Sequence, residues 1–575
     1  MASIFDGGEK TTSQTLPNPA DEQFKSGDAN RVSNRLQRSV KFDTVADMKA
    51  ATGQYELVDG QPVEWLGYHT KGDGGGNAGV FSSTQTIQDN GSVFFVATGG
   101  QVDAIFSESI NVRKFGATGD GVTDDASSII SCISYLESKI GGECVLDNGV
   151  FLHSLSIPLS TSKIKIKGVK ATLKASAVMT SQIQMGNGVN RVESQSVSGL
   201  TIDGDGKSDY GIQEKSTRIS FIQNNIIQNQ LEYCIYQNPE NSLDLFSEFL
   251  RITDNQGFDS KGFYKHTPTS VCKATDNTIA RNVMFRASEW FATVNGAQRF
   301  SFEDNMIGSH VATFNGGIDI FDDGTFTLTN SAEHTINKLY IESDNTYGSG
   351  MIGVQVGNSS SNNIAGCNIE NIIVEPANLV TQIAIRTPTG SGEIRQNFIN
   401  GLDTKAGFSD SIIIESGISW TRISGIRSDN NISSYINDSG SKTIVNSIIE
   451  DNFGAGNPPV ANSLMTGDFV LNTANGSLFT KDKGGNNIKV TNKIVDFKET
   501  RNIASIAAGA NLIEDFTVSD SDLGDFVLHS CNINTEGLIM HPYCRGGVVS
   551  ISIYNPTALA IDLASCEFRL QIYKY

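Results

Sequence analysis

Short segments that alternate apolar and polar residues recur through the middle of the chain, and this repeat constrains the fold more than any other feature. The segments run from ISFIQNN at Ile219 to IVNSIIEDN at Ile444, and the intervals between them average about 28 residues. Many end in Asn, Asp or Gly, which form tight turns. One segment cannot bury its apolar face alone, whereas stacked segments share a continuous core. The repeat therefore predicts an all-β fold, a right-handed parallel β-helix with Asn side chains hydrogen-bonded from coil to coil.

One stretch has the spacing of an amphipathic helix, with its apolar residues on a single face. This stripe consists of Ile129, Ile130, Ile133, Leu136 and Ile140. Thr123 or Asp124 is predicted to cap its start, and Gly141-Gly142 to end it. The open end of a solenoid exposes an unpaired sheet edge, which promotes aggregation. We therefore expect the helix at 124–140 to cover the N-terminal end of the β-helix.

Charge and hydropathy exclude several classes of partner. The chain has 575 residues with 43 Lys and Arg against 63 Asp and Glu, and its net charge of −20 argues against nucleic acid or an anionic membrane as partner. No apolar run approaches the roughly 18 residues of a membrane-spanning helix. The first residues, MASIFDGGEK, lack the basic and apolar regions of a secretory signal, so we expect no signal peptide.

The cysteines and the acidic turns indicate no metal site. None of the eight cysteines belongs to a C-x-x-C pair or lies at metal-ligand spacing with a histidine, so we interpret them as buried thiols. The segments DGDG at 203–206 and DDG at 322–324 contain calcium-ligand residue types, but neither continues as an EF-hand loop. The sequence therefore predicts neither a metal nor a cofactor.

Composition shifts divide the chain into four segments. The segments are a flexible adaptor arm at 1–40, a small β-rich domain at 41–110, the capping helix and β-helix at 111–455, and a C-terminal β domain at 456–575. The break between the last two is GAGNPP at 454–459, which interrupts the repeat and is typical of a linker. Clean alternation at 549–554 and 568–572 predicts a C-terminal β-sandwich.

Three stretches carry a resemblance to a known group of proteins. KFGATGDGVTDDASSI at 114–129 resembles the opening motif of pectate-lyase-like parallel β-helix proteins, above all phage tailspikes and capsular polysaccharide depolymerases. FDTVADMKA at 42–50 and LGYHTKGDGGGNAGV at 66–80 are similar to the short domain that precedes this motif in many tailspikes. The last 28 residues, from Val548 to Tyr575, resemble a C-terminal domain of such spikes.

The resemblance implies a function and an assembly. The expected protein is an intertwined homotrimer in the virion tail, made in the host cytoplasm. Its N-terminal arm would attach it to the baseplate, the tail or a neighbouring spike. Its β-helix would bind and depolymerise a bacterial surface polysaccharide, either capsule or O-antigen, by glycosidic hydrolysis. Two alternatives stay open: a lyase that acts on a uronic-acid polymer, and a receptor-binding spike without catalysis. A bacterial carbohydrate enzyme is a weaker third.

Glycosidic hydrolysis needs two carboxyl groups on either side of the scissile bond, and a first set of candidates follows from the repeat. Adjacent coils place equivalent side chains about 4.8 Å apart, near the spacing of a retaining enzyme. Aligning the coils by their apolar residues predicts that Arg286, Glu303 and Glu342 point outward in one column. An arginine beside two stacked carboxylates favours the ionised form of one, and the like charge raises the pKa of the other.

A second set of candidates surrounds GIDIFDDG at 317–324, with Glu289 and Trp290 upstream. Asp319 is predicted to point outward, and Asp322 to lie at the end of the strand. An Asp-x-x-Asp with a glutamate about thirty residues earlier resembles the acidic triad of some hydrolytic tailspikes. The predicted catalytic residues are Glu289, Glu303, Asp319 and Asp322, with Asp323 and Glu342 in reserve.

Aromatic and basic side chains near these carboxylates are the predicted sugar contacts, because pyranose faces stack on aromatic rings. The predicted substrate-binding residues are Tyr264, Arg286, Trp290, Arg299 and Glu342. Lys265, His266 and His310 are further candidates for binding an anionic sugar, and His310 is the candidate base of the lyase alternative.

Overall fold

The computed structural model describes residues 38–573 apart from internal stretches. Undescribed are 1–37, 53–54, 86–89, 241–245, 271, 309–312, 326–330, 343–350, 359–363, 375–379, 387–393, 401–402, 405–407, 415–417, 425–426, 429–435, 439–443, 446–447, 452–468, 473–476, 482–486, 490–493, 504, 519–525, 532–537, 558, 562–565 and 574–575. Nearly all of the predicted arm at 1–40 and the predicted linker at 454–459 therefore lie outside the described residues. The chain forms two compact units that divide between Ser260 and Lys261.

The first unit begins with a small five-stranded sheet of order β1-β2-β3-β5-β4. Its elements are β1 Val40–Phe42, α1 Val45–Lys49, β2 Pro62–Trp65, β3 Asn77–Ser82, β4 Val93–Phe95 and β5 Gln101–Ile105. The Thr44 side chain accepts from the Asp47 N–H and starts α1 in a capping box. Trp65 packs edge-on against Phe94 in the core of this sheet, with ring centroids 5.5 Å apart. The expected small N-terminal β domain is confirmed.

The expected capping helix is also confirmed. The chain reaches it through β6 Ser109–Asn111, a 3-10 turn at Val112–Phe115 and β7 Asp120–Asp124, and the helix is α2 Ala126–Ser138. Ile129, Ile133 and Leu136 are buried, as their spacing predicts. Ile140 lies beyond the end of the helix and is 81% exposed, so it does not belong to the apolar stripe.

The start of α2 differs from the prediction by one residue. The N-cap is Asp125 rather than Thr123 or Asp124, and the Asp124 carboxylate accepts the first helical N–H, that of Ala126, at 3.0 Å. The Asp125 carboxylate is not free to cap the helix because it accepts the backbone N–H groups of the preceding Gly-rich turn at 118–119. The residue before the cap therefore supplies the acceptor.

Arg113 holds this turn against the first coil. Its Nε donates to Asp147 Oδ1 at 2.9 Å, and its guanidinium also donates to backbone carbonyls of Thr118, Asp147 and Asn148. The same group lies over the Phe151 ring, 5.4 Å from its centroid. One planar group thus satisfies several acceptors that a single ammonium group cannot reach together.

We expect Arg113→Lys to loosen the capping helix. The substitution keeps the charge but leaves carbonyl acceptors without donors, each at a cost of about 1–3 kcal/mol when buried. Hydrogen exchange of the α2 amides should become at least about tenfold faster, as about 1.4 kcal/mol predicts. Lys165→Arg, at an exposed position, is the matched control and should leave the exchange unchanged. Unchanged exchange in Arg113→Lys would contradict this role.

The rest of the first unit is a stack of parallel coils. Its strands are β8 Gly142–His153, β9 Ile157–Leu159, β10 Ile164–Ala175, β11 Met179–Met185, β12 Val192–Glu193, β13 Ser196–Asp203, β14 Ser208–Glu214, β15 Thr217–Arg218, β16 Phe221–Gln223, β17 Ile226–Gln228, β18 Tyr233–Gln237, β19 Phe246–Glu248, β20 Arg251–Thr253 and β21 Gln256–Phe258. We call the parallel sheet of β9, β11, β14 and β18 the first-unit wide sheet. Ile183, Ile212 and Ile235 are aligned across it and are fully buried.

The second unit continues the same architecture. Its coil strands are β22 Gly262–His266, β23 Lys273–Thr275, β24 Thr278–Ala280, β25 Val283–Phe285, β26 Trp290–Asn295, β27 Ser301–Glu303, β28 Met306–Gly308, β29 Gly316–Asp322, β30 Ser331–Ala332, β31 Thr335–Asn337, β32 Tyr340–Ile341, β33 Ile352–Asn358, β34 Ile364–Ala365, β35 Asn368–Glu370, β36 Ile373–Val374, β37 Val380–Arg386, β38 Ile394–Asn400, β39 Asp403–Thr404, β40 Phe408–Ile414, β41 Ile418–Ser424, β42 Arg427–Ser428, β43 Ile436–Asp438, β44 Ile444–Val445, β45 Ile448–Asp451 and β46 Phe469–Asn472. After them, β47 Ser477–Lys481 pairs antiparallel with β46, and β48 Asn487–Lys489 pairs antiparallel with β47. We call the parallel sheet of β22, β26, β29, β33, β37, β40 and β43 the second-unit wide sheet.

Buried asparagines join the coils, as the repeat predicts. In the first unit, the Asn225 N–H and Nδ2 both donate to Asn255 Oδ1 at 3.0 Å. In the second unit, the Asn282 N–H and Nδ2 donate to Asn305 Oδ1 at 3.1 and 3.2 Å. All four side chains are buried, so water cannot reach their polar groups. The hydrogen bonds from coil to coil satisfy these groups instead.

Asn305→Ala should destabilise the second unit strongly. It removes the acceptor for two donors of Asn282 and the donor to the Ile279 carbonyl. Because each buried group left alone costs about 1–3 kcal/mol, the free energy of unfolding should fall by about 3 kcal/mol or more. Urea unfolding measures the loss. Asn337→Ala, at a half-buried position, is the control with an expected loss below about 1 kcal/mol. Equal losses of unfolding free energy in the two variants would contradict this stabilising role of the Asn282–Asn305 contact.

The C-terminal part of the second unit consists of two three-stranded antiparallel sheets that share an apolar core. One sheet has the order β49-β54-β51 and the other β50-β53-β52. Their bounds are β49 Ile494–Arg501, β50 Asn511–Thr517, β51 Phe526–Cys531, β52 Ile539–Arg545, β53 Val548–Tyr554 and β54 Cys566–Tyr573. Phe516, Ile551 and Phe568 are fully buried in the core. The expected C-terminal β-sandwich, and with it the all-β parallel β-helix fold, is confirmed.

Candidate functional site

An outward-facing column of half-buried polar side chains crosses the second-unit wide sheet. Lys265, Thr293, Asp319 and Gln355 are aligned in register on β22, β26, β29 and β33. Asp319 lies between the fully buried Ile318 and Ile320, so strand alternation directs its carboxylate outward. Gln355 Nε2 donates to Asp319 Oδ1 at 3.0 Å, which fixes one carboxylate oxygen toward the next coil. We call these four residues the polar column.

Glu289 and Trp290 lie at the start of the neighbouring strand of this sheet. The Glu289 N–H donates to the Lys261 carbonyl at 2.7 Å, and Lys261 Nζ lies 3.5 Å from Glu289 Oε1. The two side chains are 40% and 37% exposed. Trp290 is partly exposed and is aligned with Gly316, where an added Cβ would lie 2.8 Å from a ring carbon of Trp290. The indole therefore packs against the bare backbone of Gly316.

The predicted column of Arg286, Glu303 and Glu342 is wrong. Glu303 on β27 is aligned with Ala280 on β24 and with Asn337 on β31. The Arg286 N–H donates to the Gly308 carbonyl at 3.4 Å, and the Glu342 N–H donates to the Ile307 carbonyl at 2.8 Å. Arg286 and Glu342 thus belong beside β28, whereas Glu303 belongs to the other short strand of the coil.

The cause is that each coil contains two short strands with the same pattern. The buried residue is Met284 in β25 rather than Val283 and Phe285, and β25 pairs with β28. Each strand has one apolar residue at its centre, so alignment by apolar residues fits either partner equally well. The backbone hydrogen bonds decide between them.

Three other predicted site residues, Tyr264, Asp322 and His266, are buried. Tyr264 is aligned with Ala292 in the inward-facing row and is 0% exposed, so its predicted contact with a sugar is wrong. Asp322 is 1% exposed, because it follows the inward-facing Ile320 at the same parity and occupies the inner corner of the coil. Its carboxylate accepts the Gly324 N–H at 2.9 Å.

Arg299 is exposed at a turn, where it binds another residue. Its Nε donates to Asp276 Oδ1 at 2.6 Å and its Nη2 donates to Asp276 Oδ2 at 2.8 Å. This fork-to-fork geometry is the strongest that an arginine forms with a carboxylate, and it lowers the pKa of Asp276. The predicted sugar contact of Arg299 thus competes with an ion pair. His310 lies outside the described residues.

Inside the second unit lies a cluster of titratable groups that sequence reasoning missed as a cluster, because it assigned Asp322 to catalysis and His266 to an anionic sugar. Lys273, Asp322, His266 and His334 are all buried. Burial lowers the pKa of Lys273 to about 8, and the charge of Asp322 opposes that shift. Burial also lowers the pKa of His266 and of His334 to about 3. His266 Nδ1 donates to the Asn295 carbonyl and its Nε2 accepts from the Ala274 N–H, which fixes a neutral ring. Nothing in the sequence pattern marked Lys273 as inward-facing, because lysine is ordinarily exposed.

Three further findings concern the described residues alone. Among them, no three His, Cys, Asp or Glu side chains are grouped as metal ligands. Neither of the α-helices described above has the length and apolar content needed to cross a membrane. Cys132, Cys144, Cys234, Cys272, Cys367 and Cys544 are buried free thiols.

Comparison with known proteins gives similarity at the level of the chain fold. No family model matches the sequence, and no curated protein matches it. Among solved structures, tailspike protein 2 of Escherichia coli O157:H7 bacteriophage CAB120 is similar with a TM-score of 0.48 and 15% identity, covering 97% of this chain and 81% of that one. Tailspike protein gp49 of Acinetobacter baumannii bacteriophage Fri1, a capsular polysaccharide depolymerase, is similar with a TM-score of 0.40 and 10% identity, covering 93% and 98%.

An exopolygalacturonase of Thermotoga maritima is similar as well, with a TM-score of 0.42 and 14% identity over 60% of this chain and 92% of that one. Phage tailspikes are thus among the similar structures, as the sequence resemblance predicts. At these identities the likeness concerns the fold, and the function proposed below rests on the residues of this chain.

The buried histidines predict a loss of stability in acid. Their folded pKa of about 3 lies below the unfolded value of 6.5, so the unfolded chain binds more protons between these limits. The free energy of unfolding should therefore fall as the pH falls from about 6.5 toward 3, by up to about 1.4 kcal/mol per pH unit for each histidine. Urea unfolding between pH 7 and pH 4 tests this for His334→Gln, which should flatten the slope. His69→Gln, at an exposed position, is the control. Parallel slopes for the wild type and His334→Gln would contradict the linkage.

Proposed function

We propose that this protein is a depolymerase of a bacterial surface polysaccharide, which it cuts by hydrolysis on the second-unit wide sheet. The observation that carries the proposal is the outward-facing carboxylate of Asp319, held by Gln355, on the same sheet as Glu289 and Trp290. Glycosidic hydrolysis uses two carboxyl groups, and Asp319 and Glu289 are the pair that we assign. One acts as general acid and the other activates water.

The spacing of this pair is closer to that of an inverting enzyme than to that of a retaining one. Glu289 precedes Trp290, which is aligned with Gly316, so Glu289 is offset from Asp319 by four residues and one coil. The offset amounts to about 13 Å along the strand and about 5 Å across it, or about 14 Å between backbones. Side chains on a strand stand roughly perpendicular to the sheet, so the two carboxylates must lean toward each other along the strand to flank one glycosidic bond. Inverting enzymes have about 6.5–9.5 Å between these groups, whereas retaining enzymes have about 5–5.5 Å.

The ion pair with Lys261 is a weak restraint on Glu289. Its atoms are 3.5 Å apart and both side chains are more than a third exposed. Exposed pairs of this kind contribute about 0–1 kcal/mol, so this ion pair by itself holds Glu289 only weakly. Trp290 lies about 10 Å along the strand from the level of Asp319, which is about the length of two sugar residues, and its indole is the stacking surface that we assign.

The proposal includes the assembly that the sequence resemblance implies. We propose an intertwined homotrimer in a phage tail, attached to the virion or to a neighbouring spike by the N-terminal arm. The C-terminal sandwich is the part that we assign to trimerisation. Chemical cross-linking with mass analysis under native conditions tests the trimer.

One observation favours a lyase as second candidate. Lys265 lies in the polar column two coils from Asp319, a backbone separation of about 10 Å. An amine in this position can remove the proton next to the carboxyl group of a uronate, which eliminates the glycosidic bond without water. The products then carry an unsaturated end instead of an added water.

Mass spectrometry of the products decides between these reactions. Purified protein is incubated with capsule or O-antigen of the phage host, and hydrolysis adds one water per cut. Glu289→Gln and Asp319→Asn should each lower kcat at least about a hundredfold, as loss of a general acid or base does. Gln355→Met should lower kcat less, because the carboxylate stays in place.

Asp304→Asn is the matched control. Asp304 is an exposed carboxylate paired with Lys338 at a turn away from the wide sheet, and its removal should leave kcat unchanged. Products with an unsaturated end would show that the protein is a lyase and not a hydrolase. Lys265→Ala would then be the inactive variant. If the protein binds the polysaccharide but does not cleave it, the protein is a non-catalytic receptor-binding spike.

A further inference from the structure

Two stacked tyrosines stand out on the first-unit wide sheet. Tyr210 on β14 and Tyr236 on β18 have ring centroids 4.3 Å apart and an interplanar angle of 23°. Tyr236 lies between the fully buried Ile235 and Gln237, so strand alternation directs it outward. Both rings are partly exposed. They therefore do not fill the core of the coil, and each ring supports the other on the outer face.

The side chains around this pair are polar and acidic. Ser181 is aligned with Tyr210 and Gln213 with Tyr236, and the Ser181 hydroxyl donates to Gln213 Oε1 at 3.3 Å. Asp209 precedes Tyr210, and the Glu232 N–H donates to the Asp209 carbonyl at 2.9 Å, which places Glu232 beside it on the next coil.

The phenol of Tyr210 stays protonated in this setting. Burial raises its pKa, and the neighbouring Tyr236, Glu232 and Asp209 raise it further. Tyr210 thus keeps its hydroxyl donor and adds no negative charge to that of Asp209 and Glu232.

We propose that the Tyr210–Tyr236 pair is a second sugar-binding subsite, which takes an uncharged or amino-substituted pyranose of the polysaccharide and discriminates against uronates. The inference rests on the proposed function for the kind of polymer, but not on the catalytic residues. An aromatic face carries a partial negative charge that attracts the C–H groups of a pyranose face. Asp209 and Glu232 repel a uronate and attract an ammonium group.

The stacking also favours binding energetically. Since each ring is already fixed by the other, little side-chain entropy is lost when a sugar adds to the pair. A single exposed tyrosine would lose more. The paired arrangement is therefore suited to a binding surface.

Direct binding to glycans tests the subsite without relying on catalysis. Full-length protein is titrated by calorimetry with surface polysaccharide fragments of two classes, one with neutral or amino-sugar repeats and one with uronate repeats. Wild type should prefer the first class. Tyr210→Leu and Tyr236→Leu should each bind it about three- to tenfold more weakly, as the loss of an aromatic contact predicts. Asp209→Asn should bind the uronate class more tightly than wild type.

Two variants serve as controls. Tyr340→Leu removes another partly exposed tyrosine, on β32 in the second unit, and should bind as wild type does. Tyr210→Phe keeps the stacked ring and should also bind as wild type. If Tyr210→Leu folds poorly, Tyr236→Leu carries the test.

The outcomes separate this inference from the proposed function. If the tyrosine variants bind both classes of fragment as tightly as wild type does and still cleave the polymer, the subsite is overturned but the proposed function is not. Stronger binding of uronate repeats by wild type would overturn its selectivity. A wild-type protein that neither binds nor cuts any fragment would overturn the proposed function together with the subsite.

Discussion

The structure depends on hydrogen bonding between successive coils of a parallel β-helix. The described parallel strands of the coils pair with strands of the next coil, so the sheet exists only as a stack. Buried asparagine pairs such as Asn282–Asn305 satisfy the turn backbone where water has no access. The capping helix α2 and the first coil are held together by Arg113, which binds several backbone carbonyls at once.

This stacking also builds the surfaces on which function is proposed. Residues at equivalent positions of successive coils form straight outward columns about 4.8 Å apart, and a long, flat polymer fits such a surface. In the second unit the column contains Asp319 and Gln355, and the edge of the sheet contains Glu289 and Trp290. In the first unit the outer face contains the tyrosine pair. Cleavage and recognition are therefore proposed on different coils of the same kind of sheet.

The interior of the second unit contains titratable side chains. Lys273, Asp322 and two histidines are buried inside the second unit, and His266 occupies a position that Val294 fills in the next coil. Burial disfavours their charged forms, which is why the pKa of each histidine and of Lys273 is lowered. These groups make the stability of the second unit dependent on pH, although they lie behind the sheet that carries the proposed catalytic carboxylates.

The sequence by itself determined the fold class, the capping helix and the asparagine contacts, because strand alternation, helix spacing and turn residues are local patterns. It also predicted that Asp319 points outward, from the apolar residues on either side. Tertiary structure alone decided which short strand of one coil pairs with which strand of the next. That choice separated Glu303 from Arg286 and Glu342, since β24 and β25 have the same apolar pattern. It also decided that Tyr264 and Asp322 face the core, because burial depends on where a coil turns its corner.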